Sequence, residues 1–377
     1  MKNFEVYKLW PLEPVKGLGA KLWDKDGREY LDMYGGHAVI SIGHSHPAYV
    51  KSVGEQLGNL GFYSNSVVNS LQNKLALLLG EVSGYTDYSL FLCNSGAEAN
   101  ENAIKLASFQ TGKSRVLAFK GAFHGRTSGA VAATDNPSIR SPFNRTSKVT
   151  FIQLNDIQLA EKELSKGDYA AVIIEGIQGV AGIILPDDKF MVELRRLCDK
   201  HKVLLILDEV QSGYGRTGKF FAHQHARIKP DMVTTAKGMG NGFPIGGVLI
   251  SPKIGAVAGM LGTTFGGNHL ACAAAIAVLE VIAEEKLMKN ATSVGDYIME
   301  SLEGSRSIEQ IRGRGLMIGI VLKEGFEKIK ERLLFQKSVF TGSAGKNVIR
   351  LLPPLGITVE DADQFIKAFR ELESEIQ

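Results

Sequence analysis

The chain has 377 residues, of which 44% are hydrophobic, and its 43 basic and 40 acidic residues give a formal net charge of +3. A chain of this length can bury a large core and favours two domains, or one large domain with an appendage. The near balance of charge, without a long basic block, argues against recruitment of nucleic acid or of an anionic membrane.

The amino terminus, MKNFEVYKLW, carries an early acid and lacks the apolar region of a signal peptide. The longest apolar runs are far short of a membrane span. The three cysteines, Cys93, Cys198 and Cys272, are widely spaced and lack metal-ligand spacing. Such cysteines are typical of a reducing compartment. We therefore expect a soluble, cytoplasmic protein.

Residues 1 to about 45 are predicted to form a polar lead and a small β unit, in which Asp26-Gly27 is the turn of LWDKDGREYLDM. His44 and His46 follow and could suggest a metal site. A turn is favoured instead, because no third ligand lies nearby and His46 precedes a proline.

From about residue 50, strand-like and helix-like segments alternate. Helical patterns such as AEANENAIKLASFQTG and KFMVELRRLCDKHK lie between the strands. The alternation predicts an α/β fold with a mostly parallel, doubly wound sheet. The seven predicted strands cover residues 89–95, 116–121, 149–154, 170–176, 203–209, 232–237 and 246–251.

The carboxyl-terminal part has the pattern of a smaller α+β unit. The run HLACAAAIAVLEVIAEEKL predicts one long helix, LMIGIVL and NVIRLL predict strands, and DADQFIKAFRELESEI predicts a terminal amphipathic helix. Repeats and linker-like segments are lacking. We predict an N-terminal segment at 1–50 that contributes to the small domain, a large cofactor-binding domain at 51–275 and a small domain at 276–377.

An acid and a lysine follow two of the predicted strands. Asp208 ends the apolar strand that begins at Val203, and Lys237 ends the strand that begins at Met232. Open α/β sheets bind ligands at this end of their strands. A lysine amine can attach to an aldehyde while a buried carboxylate keeps a heterocyclic nitrogen protonated, and pyridoxal phosphate needs both. An aspartate and a lysine taken at random would more often be a turn residue and a solvated side chain. The surrounding motif is therefore needed to distinguish the two interpretations.

The segment DEVQSGYGRTG is followed, 29 residues after its aspartate, by the lysine of AKGMGNGFPIGG. This combination resembles the signature of class III pyridoxal-phosphate aminotransferases of fold type I, and the likeness to acylornithine aminotransferases runs from LWDKDGREYLD to VIRLLPPLGIT. The resemblance implies a seven-stranded large domain and pyridoxal phosphate as cofactor. It also implies transfer of the δ-amino group of N-acylornithine, acetyl or succinyl, to 2-oxoglutarate in arginine biosynthesis.

The resemblance assigns the phosphate to Ser95, Gly96 and Ala97, at a helix N-terminus with free amides. Taken alone, these residues would be an ordinary N-cap. Thr264 matches a threonine that reaches the phosphate of the neighbouring subunit, although it would otherwise be an ordinary turn residue. An obligate homodimer with shared active sites is therefore expected.

The family likeness also assigns the residues around the cofactor ring. Phe123 and Val210 would lie on its two faces, Gln211 would bond its phenolic oxygen, and Asp208 would pair with its nitrogen. Lys237 would hold the cofactor and then move the substrate proton, a step worth roughly 10²- to 10⁴-fold. Both Phe123 and Val210 could instead be core residues.

Two arginines are expected to bind substrate carboxylates. Arg126 offers a planar donor fork for the α-carboxylate of the acylornithine, and Arg350 matches the arginine for glutamate or 2-oxoglutarate. Relatives often carry a glutamate, at the position of Val180, that pairs with the second arginine. Our hypothesis is that Arg350 here stays available and that the mono-carboxylate half-reaction depends on Arg126 alone.

His37 falls where relatives line the path of the substrate side chain, so it either contacts the acyl group or is a satisfied histidine in a turn, the favoured interpretation. Glu175 and Glu209 are expected to be structural acids. No metal site is expected.

Alternative functions start from the same pattern. Ornithine, 4-aminobutyrate, a lysine derivative or an intramolecular aminomutase substrate would keep the cofactor. A nucleotide-binding oxidoreductase is disfavoured because no GxGxxG opens the first βα unit and no GxxxxGK[ST] is present. A binding protein with a vestigial site is disfavoured by the intact lysine, aspartate and phosphate turn.

Overall fold

A computed structural model describes residues 1–146 and 148–376 of the chain. Its strands are β1 (Pro14–Leu18), β2 (Lys21–Asp24), β3 (Glu29–Asp32), β4 (Ser89–Cys93), β5 (Arg115–Phe119), β6 (Val149–Ile152), β7 (Tyr169–Glu175), β8 (Leu204–Asp208), β9 (Met232–Thr235), β10 (Gly246–Ile250), β11 (Ile308–Arg314), β12 (Met317–Leu322), β13 (Val339–Phe340), β14 (Gly342–Ala344) and β15 (Val348–Leu351). Its helices are α1 (Gly35–Ala38), α2 (Pro47–Asn59), α3 (Ser70–Ser83), α4 (Gly96–Thr111), α5 (Ser128–Ala132), α6 (Ile157–Leu164), α7 (Asp188–His201), α8 (His269–Glu284), α9 (Leu287–Ser301), α10 (Ile329–Lys337) and α11 (Val359–Glu375). Short 3-10 helices lie at Pro137–Ile139, Pro142–Thr146, Ala222–His225 and Lys237–Met239.

The central sheet has seven strands in the order β4-β10-β9-β8-β7-β5-β6. Strand β10 is antiparallel to both of its neighbours, whereas the remaining pairs are parallel. All seven predicted strands are present, which confirms the α/β class and the mostly parallel sheet. Six strands therefore point their carboxyl ends toward one edge of the sheet, where ligands bind in such folds.

Both faces of this sheet are covered by helices, which explains why its strands are apolar throughout. In β7, Ala171 and Ile173 pack with α4 on one face, and the alternate residues Val172 and Ile174 pack with α6 and α7 on the other. Every residue of β7 is buried. The burial holds the polar residues at the end of the strand in fixed positions.

The two outer sheets join distant parts of the chain. Strands β1, β2 and β3 pair in order, and β3 also pairs in parallel with β13, whereas β11, β12, β15 and β14 form the third sheet. The predicted turn at Asp26-Gly27 is confirmed, with Gly27 at φ 82° and the Asp24 carboxylate accepting from two backbone amides of the turn. The domain division at residues 50 and 275 stays a prediction.

The predicted long helix after Gly267 ends earlier than expected. Helix α8 stops at Glu284, Lys286 adopts left-handed backbone with φ 53°, and α9 begins at Leu287. The apolar and small residues of α8 are almost all buried. Within residues 1–146 and 148–376, no helix has the length and apolar character needed to cross a membrane.

His44 and His46 each contact one acid. His44 Nε2 lies 2.8 Å from Asp32 Oδ2, and His46 Nε2 lies 3.0 Å from Glu285 Oε1. His46 directly precedes the proline that begins α2. In the described part of the chain, no group of three or more histidine, cysteine or acidic residues is arranged to hold a metal ion.

Candidate active site

A cavity of about 400 Å³ lies at the carboxyl ends of β4, β5, β7, β8 and β9. Nine of the predicted site residues line it, whereas His37, Thr264 and Arg350 do not. The nine are Ser95, Gly96, Ala97, Phe123, Arg126, Asp208, Val210, Gln211 and Lys237. The fold therefore brings together residues that lie up to 142 positions apart in the chain.

Asp208 lies at the floor of the cavity and is 4% exposed. Its Oδ2 accepts from Asn100 Nδ2 at 2.7 Å and lies 2.7 Å from His124 Nδ1, while its Oδ1 accepts from the Val210 amide at 3.0 Å. Three donors thus fix the orientation of this buried carboxylate. Asn100 is itself fixed, because its Oδ1 accepts from Thr234 at 2.6 Å.

Lys237 faces the same cavity from the first residue of a short 3-10 helix after β9, with left-handed backbone at φ 44°. Among the residues described, none forms a hydrogen bond or ion pair with its ammonium group. Burial lowers the pKa of Lys237, although the carboxylates of Asp208 and Glu175 oppose that shift. The lower pKa increases the fraction of neutral amine, which is the form that attacks a carbonyl carbon.

The N-terminus of α4 forms the opposite wall. Ser95 is the N-cap, and its hydroxyl accepts from the Glu98 amide at 3.2 Å. At Gly96 an added Cβ would lie 2.6 Å and 2.8 Å from the two γ-carbons of Val210. The absence of a side chain at Gly96 thus lets the helix amides approach Val210 closely, where they can face an anion.

Gln211 and Phe123 complete the lining beside Val210. Gln211 Nε2 donates to the His37 carbonyl at 3.1 Å, but its Oε1 is buried and has no hydrogen-bond partner in the described chain. An unpaired buried acceptor is costly and indicates a missing donor. Phe123 is half-buried and lines the same cavity as Gln211.

The two predicted structural acids differ. Glu209 accepts from Ser212, from two backbone amides and from His223 Nδ1, all within 3.0 Å, so it braces the segment after β8. Glu175 instead lines the cavity and is paired with Asp208 across β7 and β8. It accepts from the amides of Phe123 and Gly179, and burial raises its pKa to about 7.

Arg126 is exposed at the cavity rim, and no described residue forms a hydrogen bond or ion pair with its guanidinium. This placement is open to an incoming carboxylate. Thr264 is also exposed, but it lies outside the cavity of its own chain. Its neighbour Thr263 holds the loop by accepting from Asn94 and from the Gly266 amide.

Arg350 is buried, 5% exposed, and does not line the cavity, so its availability to a substrate stays a prediction. It donates to the carbonyl oxygens of Ser343 and Gly179, both at 3.0 Å, and to the Tyr34 hydroxyl at 3.2 Å. His37 lies beside it, exposed and in left-handed backbone, with its Nδ1 joined to that hydroxyl.

Three residues of this site, Asn100, His124 and Tyr34, were missed by sequence reasoning. His124 follows Phe123 in the predicted strand-end turn, and Asn100 lies one helical turn after Gly96, so the position of each was a usable signal. No local signal marks Tyr34, because its partner Arg350 is 316 residues away.

The residues present fit pyridoxal phosphate. The amides at the start of α4 suit its phosphate, Asp208 suits its ring nitrogen, and the unpartnered Gln211 Oε1 suits a ring hydroxyl. The Gly96 and Val210 contact leaves no room for a side chain on that wall. Lys237, which lines the same cavity, would be the amine that attaches to the cofactor aldehyde.

Comparisons with known proteins agree with this fit. The family model described as "Aminotransferase class-III" matches residues 5–372. The acetylornithine aminotransferase of Bacillus cereus is 42% identical over 98% of this chain and 96% of its own. A crystal structure of acetylornithine aminotransferase from Elizabethkingia anophelis has a TM-score of 0.86 and 31% identity, covering 99% of this chain and 96% of its own. An ornithine aminotransferase structure from Toxoplasma gondii, whose description mentions PLP at the active site, has a TM-score of 0.91 and 29% identity, over 99% and 93%. The chain therefore belongs to the class-III aminotransferases, a family of pyridoxal-phosphate-dependent enzymes with fold type I.

Proposed function

We propose that the protein transfers the δ-amino group of N-acetylornithine to 2-oxoglutarate, giving N-acetylglutamate 5-semialdehyde and glutamate in arginine biosynthesis. The observation that carries this proposal is the meeting of Lys237 and Asp208 in one cavity beside the N-terminus of α4. The 42% identity to an acetylornithine aminotransferase over nearly the whole chain supports the choice of substrate.

When bound, pyridoxal phosphate supplies an aldehyde that takes up the amino group and a ring that acts as an electron sink. Asp208 would pair with the ring nitrogen through a carboxylate that Asn100, His124 and the Val210 amide hold in place. Lys237, with its pKa lowered by burial, accepts the proton from the carbon that bears the transferred amino group and returns it on the cofactor side.

Two arginines would position the substrates. Arg126, exposed at the rim and without a protein partner among the described residues, would bind the α-carboxylate of the acylornithine and leave the δ-amine near Lys237. Arg350 would bind the α-carboxylate of glutamate or 2-oxoglutarate. Backbone carbonyls accept from two of the N–H donors of Arg350, and the Tyr34 hydroxyl accepts from a third.

The proposed enzyme acts as a cytoplasmic homodimer. Thr264 is exposed and lies outside the cavity of its own chain. Its hydroxyl would therefore bond the phosphate in the active site of a second copy of the chain. The three cysteines are free, buried and unpaired, which suits a reducing compartment. The mass of the purified protein in solution tests the dimer, and a monomer that keeps full activity would contradict shared active sites.

The decisive experiment uses the wild-type protein loaded with pyridoxal phosphate. N-acetylornithine, N-succinylornithine, ornithine and 4-aminobutyrate are added to separate samples while the visible absorbance of the bound cofactor is followed. We expect N-acetylornithine to abolish the band and 2-oxoglutarate to restore it. A stronger response to N-succinylornithine would change the acyl group, and a preference for ornithine, the substrate in the name of the Toxoplasma neighbour, would replace the proposal.

A further inference from the structure

The guanidinium of Arg350 is held entirely by neutral groups. Its acceptors are two backbone carbonyls and the Tyr34 hydroxyl, and the described chain places no carboxylate in an ion pair with it. Val180 directly follows Gly179, whose carbonyl accepts from Arg350, and it lines the cavity and is 47% exposed. An apolar residue at that position cannot provide a charged partner.

Packing holds the Tyr34 ring beside Arg350. Its ring lies 5.8 Å from the guanidinium carbon, and an added Cβ on Gly342 would lie only 2.1 Å from the ring, so the glycine makes room for it. The phenol is thus fixed in position by packing on β14. Of the groups on Arg350, this hydroxyl is the only side-chain acceptor that the described residues provide.

His37 determines which way the hydroxyl points. Its Nδ1 is joined to the Tyr34 oxygen, and the two rings lie 4.8 Å apart. Although His37 is exposed, neighbouring atoms cover part of its ring, and this desolvation, together with the cations Arg350 and Lys237, lowers the pKa of His37 and favours the neutral ring. A neutral Nδ1 can accept the phenolic proton, which leaves the Tyr34 oxygen free to accept from Arg350.

A neutral acceptor suits a site that must bind two kinds of substrate. A substrate carboxylate makes a stronger, charge-assisted bond to a guanidinium than a hydroxyl does, so it can displace the hydroxyl. Once displaced, Tyr34 can still donate to His37 in the tautomer whose Nδ1 carries no proton, so it is not left unpaired. By contrast, a substrate without a carboxylate at this point leaves Tyr34 in place.

We propose that Tyr34, oriented by His37, is the specificity-determining residue that occupies Arg350 while the acylornithine reacts and yields to the α-carboxylate of glutamate or 2-oxoglutarate. This inference rests on the proposed function, because it assumes that Arg350 binds that carboxylate. In this proposal the Tyr34 hydroxyl pairs with Arg350 in place of the acid that relatives carry at position 180.

The test is Tyr34→Phe in the full-length, cofactor-loaded enzyme, with each half-reaction followed separately by the absorbance of the bound cofactor. The variant keeps the ring and loses only the hydroxyl. We expect the apparent dissociation constants of glutamate and 2-oxoglutarate to fall about three- to tenfold, as expected for removal of one competing neutral hydrogen bond. The limiting rates, and all constants for N-acetylornithine, should stay within about twofold.

A second variant distinguishes this effect from a general disturbance. Val180→Glu added to Tyr34→Phe supplies a charged acceptor, so the preference for N-acetylornithine over glutamate should return to within about twofold of the wild type. Tyr297→Phe is the matched control, because it also removes a tyrosine hydroxyl bond, to Asp363, on the surface. It should change neither half-reaction.

Equal changes in both half-reactions, or none in either, would overturn the inference. Failure of the proposed function would look different, since it appears in the wild type as a lack of response to N-acetylornithine. In that case the glutamate and 2-oxoglutarate measurements would still test Tyr34. A wild-type enzyme that responds to neither glutamate nor 2-oxoglutarate would refute both ideas.

Discussion

Replacement of Gly96 by alanine should weaken the binding of pyridoxal phosphate. The added Cβ would lie 2.6 Å and 2.8 Å from the γ-carbons of Val210, whereas carbon atoms in favourable contact are about 3.5–4.0 Å apart. The helix start must therefore move by roughly 1 Å, at an overpacking cost of about 1–3 kcal/mol. Alanine favours helix by at most about 1 kcal/mol, which offsets only part of that cost.

The movement matters because the first amides of α4 would bond the phosphate. Loss of one charge-assisted hydrogen bond costs about 1.5–3 kcal/mol, so the dissociation constant of pyridoxal phosphate should rise about 10- to 100-fold. Titration of the cofactor-free protein, followed by visible absorbance, measures this constant. Thermal unfolding of the same samples reports the packing cost.

The companion change Val210→Ala removes both γ-carbons that the new methyl group would meet. In that background Gly96→Ala should raise the dissociation constant less than about threefold. Gly54→Ala is a suitable control, because an added Cβ there would meet nothing within 4 Å. An unchanged affinity in Gly96→Ala, or an equal loss with and without Val210, would refute the reasoning.

Three further outcomes are expected. Lys237→Ala should reduce kcat by more than about 10⁴-fold in steady-state assays, because proton transfer and covalent attachment of the cofactor both fail. His124→Leu should lower kcat/KM about 10- to 100-fold by removing a donor to Asp208, whereas His124→Asn, which can still donate, should lose less than about threefold. The pKa of Glu175 is about 7 in the folded state and 4.5 ordinarily, so the folded state holds its proton to higher pH than the unfolded state does. The free energy of unfolding should therefore fall by about 3 kcal/mol in total as the pH rises from 4.5 through 7. Urea unfolding at several pH values should show a flatter profile for Glu175→Gln, and parallel profiles for the variant and the wild type would contradict the assignment.

The strands of the central sheet were predictable because burial on both faces requires apolar residues throughout. Strand β7 is buried at every residue, and its predicted span differs from the observed one by a single residue at each end. Burial on both faces gives no information about strand direction, because a buried apolar segment has the same pattern in a parallel and in an antiparallel strand. The antiparallel course of β10 therefore could not be predicted.

Strands with exposed faces carry little signal. Strand β11 has no fully buried residue, and β1 is exposed at four of its five positions, so neither shows the apolar run on which the prediction relied. Both become strands through pairing with β12 and β2. Their structure thus depends on tertiary contacts rather than on local preference.

The site shows the same division. Lys237 and Asp208 lie at strand ends that the sheet brings together, so their proximity follows from the fold. The engagement of Arg350 depends on Tyr34, on a carbonyl at Gly179 and on another at Ser343, from three separate segments. No spacing in the sequence predicts these contacts of Arg350. The valine at position 180 indicated only that the glutamate found there in relatives is absent.

The two acids of the cavity determine how the lysine titrates. Asp208 accepts from three donors, whereas burial raises the pKa of Glu175 to about 7. Both carboxylates oppose the lowering of the Lys237 pKa by burial. Protonation of Glu175 removes one of these two negative charges and so favours the neutral amine, while its ionisation favours the ammonium. Glu175 and Lys237 therefore titrate as a coupled pair, and Glu175→Gln should lower the apparent pKa at which the lysine becomes reactive.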